Sequence, residues 1–362
     1  MFKKFLVLII ILMMSRVEAA DWSPELKIGL LSGVEKVTLK VSAPCIMTDA
    51  TSGKILTKIP AEKKFVLHVE KIKAESIEIR PEKIPLKDLR TQIESKKYFG
   101  GVRLNKVEEK FTVINLVPLE EYLRGVLPGE MPPSYPLEAL KAQAVAARSF
   151  ALKNRGKHKF EGFDLCDTTH CQVYAGAKEL ESTDKAVAET SGKILTYDDK
   201  LVEASFHADS GGMTEDVADV WGQPSPYLIA VEEIIKTSEV WTIKVTAKEI
   251  SESLDIDNVK SVKLSKLKIG KEDSDRTSSG RVKTAQINGK KFTGAELRKK
   301  FSLPSTLFDI KLDEGEIIFT GYGNGHGVGM SQKGARAYAA DGWSYEKILS
   351  HYYHDTKLKE LY

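Results

Sequence analysis

The stretch VLPGEMPPSYPLEALKAQAVAARSFAL, residues 126–152, joins a proline-rich segment to the strongest helix pattern in the chain. Proline suits the first turn of a helix, and alanine has the highest intrinsic helix propensity. Apolar residues recur at steps of three and four along this stretch. The spacing therefore predicts a helix over 136–154 with one apolar stripe, made of Leu137, Leu140, Ala144, Ala147 and Ala151.

Glu130 is the single carboxylate among the prolines of this stretch, which are Pro128, Pro132, Pro133 and Pro136. Proline fixes its own φ and restricts the preceding residue, so we expect a stiff loop that holds the carboxylate in place. A stiff and mostly apolar loop would tend to raise the pKa of a carboxyl group, and both properties suit a general acid. The alternative is that Glu130 closes a turn or caps the following helix, because carboxylates also serve structural networks.

The first 19 residues predict a secretory signal segment. Lys3 and Lys4 precede the apolar run from Phe5 to Met14, and Val17-Glu18-Ala19 resembles a signal cleavage site. The run is too short to be a comfortable membrane span. An uncleaved N-terminal anchor is the alternative, and in both cases we expect the body of the protein to be exported, either secreted or attached to the cell envelope.

Composition argues against two classes of partner. Loss of residues 1–19 removes Lys3, Lys4, Arg16 and Glu18, which takes the formal net charge from +3 to +1. A chain this close to neutrality gives no electrostatic reason to expect nucleic acid or an anionic lipid surface. A membrane partner is expected only if the signal segment stays attached.

The remaining pattern predicts an α+β, strand-rich fold of mixed type. Period-two alternation predicts strands at KVTLKVS (36–42), KILTKI (54–59) and FVLHVEKI (65–72). We expect a small β-rich N-terminal module over 20–100 and a second domain over 101–362, with a less specific insertion at about 236–312. Within the second domain, 274–289 predicts a hairpin and 345–353 a final helix.

Cys166, His170 and Cys171 lie within six residues of one another in DLCDTTHCQVY (164–174). Two thiolates and an imidazole form a ligand set suited to zinc, and His158 is the nearest candidate for a fourth ligand. Exported proteins also form disulfides, so a small ring closed by Cys166 and Cys171 fits the spacing equally well.

Two glycine-rich segments hold further candidate residues, and the first of them could line a cleft. SFHADSGGMTEDVADVW (205–221) places Ser210 before two glycines, although a turn between strands explains such glycines as well. GYGNGHGVGMSQKGA (321–335) holds Ser331 and His326, whose flanking glycines let backbone or substrate approach the imidazole. Taken alone, His326 is more typical of a hydrogen-bonded structural histidine. It contains neither G-x-G-x-x-G nor GK[ST], which argues against nucleotide binding. Ser331 falls one residue short of a G-x-S-x-G motif, so a serine hydrolase has little support.

These segments, in this order, resemble the SpoIID/LytB family of exported bacterial cell-wall proteins. The resemblance runs through GEMPPSYPLEALKAQAVAARS, DTTHCQVY, HADSGG and GNGHGVGMSQKGA, and it covers about residues 113–358. It implies a SpoIID-like catalytic domain with peptidoglycan as its substrate. It also implies a lytic transglycosylase, which cleaves glycan strands between N-acetylmuramic acid and N-acetylglucosamine and leaves a 1,6-anhydro end.

The resemblance also assigns residues. The family's catalytic glutamate falls on Glu130, and two polar residues of its following helix fall on Gln143 and Arg148. By position in the matching segments, the residues expected to contact glycan are Gln143, Arg148, Ser210, His326 and Ser331. The zinc site of some members, expected here to be structural, falls on Cys166, His170 and Cys171, with His158 as fourth ligand.

Ordinary glycoside hydrolysis needs two carboxylates, whereas a transglycosylase can work with one, as acid and then base. LytB-like relatives imply a different class of protein: an enhancer that binds the wall or a cell-wall amidase without cutting glycan. A zinc-dependent hydrolase is a third alternative. The expected partners are peptidoglycan glycan strands and a cell-wall amidase or another wall-remodelling protein.

Overall fold

The computed structural model describes residues 23–234 and 239–362, so the predicted signal segment lies outside the described residues. Within these ranges the chain forms two compact units. The first comprises 23–133, 151–194 and 359–362, and the second comprises 134–150 and the described part of 195–358. Among the described helices, none is both long and apolar enough to cross a membrane.

Both units contain strands and helices, which confirms the predicted α+β class. The strands are β1 (Glu25–Val34), β2 (Lys36–Val41), β3 (Cys45–Asp49), β4 (Ile55–Ile59), β5 (Phe65–His68), β6 (Ser76–Pro81), β7 (Arg90–Ile93), β8 (Lys96–Phe99), β9 (Gly101–Val107), β10 (Lys110–Pro118), β11 (Leu165–Cys166), β12 (Lys193–Tyr197), β13 (Lys200–Leu201), β14 (Phe206–His207), β15 (Trp241–Val245), β16 (Val262–Lys263), β17 (Thr284–Ile287), β18 (Lys290–Thr293), β19 (Phe308–Asp313), β20 (Glu316–Gly321), β21 (Met330–Ser331) and β22 (Lys357–Glu360). The helices are α1 (Leu119–Glu130), α2 (Leu137–Lys153), α3 (Glu181–Glu189), α4 (Val217–Trp221), α5 (Ala247–Leu254), α6 (Gly294–Lys300), α7 (Gln332–Ala340) and α8 (Tyr345–Tyr352).

The first unit is built on two sheets, in the orders β11-β1-β10-β9-β6-β3-β4 and β5-β2-β7-β8. The alternating runs form β2, β4 and β5, and Val37, Leu39 and Val41 of β2 are buried on one face. The strand predicted over 65–72 ends at His68, and Val69–Lys71 form a 3-10 helix instead. Strand pairing continues across the domain boundary that the sequence placed at residue 100. Because β9 pairs with both β6 and β10, a division there would cut through one sheet.

The prediction that Glu130 lies in a loop is wrong. Glu130 is the last residue of α1. Pro118 precedes the helix as its N-cap, and Pro128 lies in the last turn. Glycine and proline have low helix propensity, so Gly125, Pro128 and Gly129 obscure the helix in the sequence. Burial of its apolar face provides the stabilisation that propensity does not.

The two glycines of α1, one helical turn apart, allow close contact with the extended segment 173–176. A Cβ atom at Gly125 would lie 2.2 Å from Cε2 of Tyr174 and 2.8 Å from the carbonyl oxygen of Gly176. A Cβ atom at Gly129 would lie 2.8 Å from the carbonyl oxygen of Val173. The backbone of α1 can therefore approach this segment only because both positions lack side chains.

Gly125→Ala is expected to lower the free energy of unfolding by about 1–3 kcal/mol, because overpacking a filled contact forces neighbouring groups to move. Denaturant unfolding of wild type and variant measures this difference. A variant as stable as the wild type would contradict the packing described for α1.

Helix α2 spans Leu137–Lys153, one residue shorter at each end than predicted. The predicted single apolar stripe is wrong: from Ala139 to Ser149 only Lys141 is partly exposed. A helix buried on all sides carries small apolar residues all round, and the alanines supply them. Alanine content thus reflects burial here as well as helix propensity.

The second unit contains the sheets β15-β20-β19 and β16-β17-β18. Their buried apolar residues form one core with side chains of α5 and α6, including Ile250, Leu297 and Phe319. The region predicted as an insertion, 236–312, therefore contributes a core of its own together with β20. Helix α8 ends one residue before the predicted final helix does.

The hairpin predicted over 274–289 is displaced. Residues Arg276 and Val282 form only an isolated bridge, and the regular hairpin consists of β17 and β18. Its turn is Asn288-Gly289, where φ is 49° and 79°. Two residues at positive φ suit the tight turn between paired strands, so this dipeptide lies at the centre of the hairpin rather than at its end.

Candidate functional site

The Glu130 carboxylate lies at the C-terminal end of α1 and is partly exposed. Its Oε1 atom accepts a hydrogen bond of 2.6 Å from the backbone N–H of Val173. Because segment 173–176 also contacts the α1 glycines, this bond fixes the orientation of the carboxylate. An accessible carboxylate with a fixed orientation is what proton transfer to a bound substrate requires.

Buried aromatic side chains support the segment that contacts Glu130. Tyr122 is fully buried, its hydroxyl donates to Oε1 of Gln172 at 3.2 Å, and its ring centroid lies 5.0 Å from that of Tyr174. The Tyr174 hydroxyl donates to Asn115 Oδ1 at 2.9 Å. Burial raises the pKa of Tyr122 well above its ordinary value, and the Glu130 charge adds to the rise, so Tyr122 is a neutral donor.

A cluster of four soft donors precedes Val173 in the same unit. One ligand atom from each of His158, Cys166, His170 and Cys171 lies within 4.8 Å of all the others. The structure therefore brings together every residue predicted as a metal ligand, including the distant His158. Cys166 and Cys171 are both free thiols, so the disulfide alternative is not what the structure contains.

The spacing of these donors fits a tetrahedral metal. Zinc bonds of about 2.3 Å to sulfur and about 2.0 Å to nitrogen, at a tetrahedral angle, require S···N separations of about 3.6 Å. Cys171 Sγ lies 3.4 Å from His158 Nε2, and both Sγ atoms lie 3.7 Å from His170 Nδ1. The spacing and the two sulfur and two nitrogen donors are therefore compatible with a tetrahedral metal ion such as zinc.

The residues that hold His158 in place were not predicted from the sequence. Its Nδ1 atom lies 2.5 Å from Glu161 Oε1, and its ring stacks on Phe163 with 4.8 Å between centroids. A carboxylate on the second imidazole nitrogen fixes the tautomer of a metal-binding histidine. The i, i+3 spacing of His158 and Glu161 was a visible but weak signal.

In the second unit the two glycine-rich segments lie side by side. Strands β14 and β21 pair in parallel, and isolated bridges join Asp209 to Asn324 and Glu215 to Val328. The ring centroids of His207 and His326 are 5.5 Å apart. The two glycine-rich segments, which hold Ser210, His326 and Ser331, are therefore neighbours.

Most residues assigned to glycan contact are buried. Ser210 donates its hydroxyl proton to Glu233, and Ser331 caps α7 by accepting the N–H of Gly334 at 3.0 Å. A buried capping serine is no nucleophile candidate. Of the five assigned residues only His326 is partly exposed, and the fully buried ones are Gln143, Arg148, Ser210 and Ser331. Direct contact of these five residues with glycan stays a prediction. The burial of four of them favours a role in holding the surrounding structure in place.

The fold and the sites define an α+β protein with a partly exposed, oriented carboxylate and a Cys₂His₂ cluster in one unit. The family described as Stage II sporulation protein (SpoIID) matches residues 107–197, which include α1, α2 and this cluster. Stage II sporulation protein D of Bacillus subtilis (strain 168) is 38% identical over 264 residues, covering 67% of this chain and 75% of that protein. The chain belongs to the SpoIID family.

Two further relatives extend the comparison. Stage II sporulation protein D of Bacillus amyloliquefaciens is 37% identical, over 67% of this chain and 75% of that protein. A protein named Amidase enhancer, from Bacillus subtilis (strain 168), is 33% identical over 81% of this chain. The chain spans only 48% of that second protein's length.

Proposed function

We propose that this protein is an exported peptidoglycan lytic transglycosylase. Membership of the SpoIID family supports a role at the cell wall. The observation that carries the enzymatic proposal is the Glu130 carboxylate, partly exposed at the end of α1 and oriented by the N–H of Val173. The substrate bond is the linkage from N-acetylmuramic acid to N-acetylglucosamine.

Glu130 acts twice in the proposed reaction. As a carboxylic acid it donates a proton to the glycosidic oxygen while the bond from that oxygen to the anomeric carbon breaks, which releases N-acetylglucosamine with a free hydroxyl. As a carboxylate it then takes the proton of the muramic acid 6-hydroxyl, whose oxygen bonds to the anomeric carbon. The products are a 1,6-anhydro end and a regenerated acid, and no water is consumed.

We propose that His158, Cys166, His170 and Cys171 hold a structural zinc ion. When bound, zinc supplies folding free energy by linking His158, in the loop after α2, to Cys166 of β11 and to His170 and Cys171 after it. Val173 follows Cys171 by only two residues. The cluster therefore positions the backbone N–H that orients Glu130, and its role in catalysis is indirect.

Glu161→Ala is expected to weaken zinc binding about 10–100-fold, because loss of an outer carboxylate loosens the histidine that it orients. Competition with a chromophoric chelator measures the affinity. Glu181→Ala is the control, because Glu181 is an exposed carboxylate of α3 outside the cluster. Equal affinities of wild type and Glu161→Ala would remove Glu161 from the metal site.

The likeness to Amidase enhancer favours one second candidate, a non-catalytic enhancer of a cell-wall amidase. Purified sacculi are incubated with this protein alone, with an amidase alone and with both. The transglycosylase proposal predicts anhydro-muropeptides in the first reaction. If the protein alone cleaves no glycan but the amidase works faster in the mixture, the transglycosylase proposal is wrong and the enhancer function takes its place.

A further inference from the structure

The second unit contains a cavity of about 680 Å³, and none of its lining residues except His326 has a role so far. This volume falls within the range of about 300–1,000 Å³ that is typical of small-molecule pockets. Its walls come from α4, from α6 and from the segments around 277–283 and 302–306. The charged residues of the lining are Arg281, Lys283, Arg298, Lys299, Glu215 and Asp219.

Two of the cations have no acidic partner in the described ranges. Arg298 uses Nε to donate to the carbonyl oxygen of Leu303 at 3.2 Å, and neither Arg298 nor Lys299 forms an ion pair there. Lys283 differs, because it pairs with Glu272. The cavity therefore presents cationic groups that the described part of the protein does not neutralise.

Arg281 is only 2% exposed, and its guanidinium is incompletely satisfied. Nη2 donates to the carbonyl oxygen of Ser210 at 2.8 Å, whereas Nε and Nη1 have no hydrogen-bond partner in the described part of the chain. Glu215 Oε2 lies 4.0 Å from Nε, too far for a hydrogen bond, and accepts two hydroxyl groups instead. A buried donor without an acceptor is costly unless a ligand supplies one.

The charges around the cavity favour an incoming anion. Burial lowers the pKa of Arg281 to about 10, a net shift that the charge of Glu215 opposes and that of Arg298 favours. Burial and the same two arginines lower the pKa of His326 to about 4, so His326 is neutral at pH 7. Burial raises the pKa of Glu215 and of Asp219. An anion would relieve the repulsion between the two arginines.

We propose that this cavity binds a carboxylate-bearing ligand, anchored by Arg281, Arg298 and Lys299. Guanidinium groups bind carboxylates through paired N–H···O hydrogen bonds. Trp221, which is 50% exposed, lies with its ring 5.2 Å from that of His326 and offers a flat apolar surface beside the cavity.

The source of the carboxylate rests on the proposed function. In peptidoglycan, carboxylates belong to the lactyl group of unsubstituted muramic acid and to the acidic residues of the peptides. Both sources present the same anchoring chemistry to the cavity, and separate probes distinguish them.

Calorimetric titration of the full chain with N-acetylmuramic acid, with L-alanyl-γ-D-glutamate and with neutral N-acetylglucosamine tests the proposal. At least one acid is expected to bind, and the neutral sugar is expected not to. Arg298→Gln is expected to weaken binding about tenfold or more, because a charge-assisted hydrogen bond is lost. Lys300→Gln is the matched control, because Lys300 ends the same helix but does not line the cavity and donates to Ser253 instead.

The acid that binds identifies the source of the carboxylate. Binding of neither acid, equal binding of the neutral sugar, or unchanged affinity in Arg298→Gln would overturn the proposal. The cleavage reaction is tested separately, because Glu130→Gln is expected to bind the acid as the wild type does. If the wild-type protein cleaves glycan but binds neither acid, only the proposed binding site in the cavity is refuted. If it binds an acid but cleaves no glycan, only the transglycosylase proposal is refuted.

Discussion

Glu130→Gln is expected to lower the rate of glycan cleavage by about 10²–10⁴-fold, the usual contribution of a general acid or base. The loss is expected at the upper end, because one side chain serves both proton transfers. A glutamine amide can neither protonate the glycosidic oxygen nor take the proton of the 6-hydroxyl. The rate of anhydro-muropeptide release from purified glycan strands measures the effect.

The substitution is designed to leave the fold intact. Glutamine has the shape of glutamate and keeps an Oε1 atom that can accept the N–H of Val173. Glu181→Gln removes an exposed carboxylate from α3 of the same unit and is expected to keep wild-type activity. A folded Glu130→Gln variant with undiminished activity would rule out Glu130 as the acid and base.

Cys171→Ser is expected to abolish stoichiometric zinc binding and to destabilise the protein. Loss of a structural zinc site costs at least about 3 kcal/mol, which corresponds to a fall in Tm of about 6–12 °C for a domain of 150–250 residues. Cleavage activity is expected to fall as well, because Val173 loses the anchor two residues before it. Elemental analysis and thermal unfolding measure the first two effects.

Cys45→Ser makes the same chemical change away from the cluster. Cys45 is fully buried in β3, and its thiol donates to the carbonyl oxygen of Ala43 at 3.3 Å. We expect Cys45→Ser to bind zinc as the wild type does. Any fall in its free energy of unfolding is expected to come only from the buried hydroxyl group in β3. Wild-type protein without zinc and with two fewer titratable thiols would restore the disulfide alternative and contradict the metal site.

Local sequence was sufficient to predict the elements whose determinants are close together in the chain. Helix α2 follows from alanine content and an initial proline. The four candidate metal ligands span only 158–171, so their association needed little long-range information. Helix α1 could not be predicted in this way, because Gly125, Pro128 and Gly129 disfavour a helix in isolation. The packing against 173–176 that requires the two glycines is visible only in the folded chain.

The buried polar groups show a second limit. Ser210 and Ser331 lie in glycine-rich segments, which suggested contact with substrate. In the structure the Ser210 hydroxyl donates to Glu233, and the Ser331 hydroxyl accepts a backbone N–H at the start of α7. The cavity around Arg281 has no motif at all, because its lining comes from residues between 215 and 326. The surroundings of these residues depend on contacts between distant parts of the chain, which cannot be predicted from residue spacing within one segment.

The fate of solvent oxygen during cleavage tests the transglycosylase reaction proposed for Glu130. Glycan strands are cut by the wild-type protein in water enriched in heavy oxygen, and the new muramic acid ends are analysed by mass spectrometry. The proposed reaction leaves 1,6-anhydro ends without solvent oxygen in the wild-type digest, and no such ends are expected with Glu130→Gln. Reducing ends that each carry one solvent oxygen would show hydrolysis and contradict it.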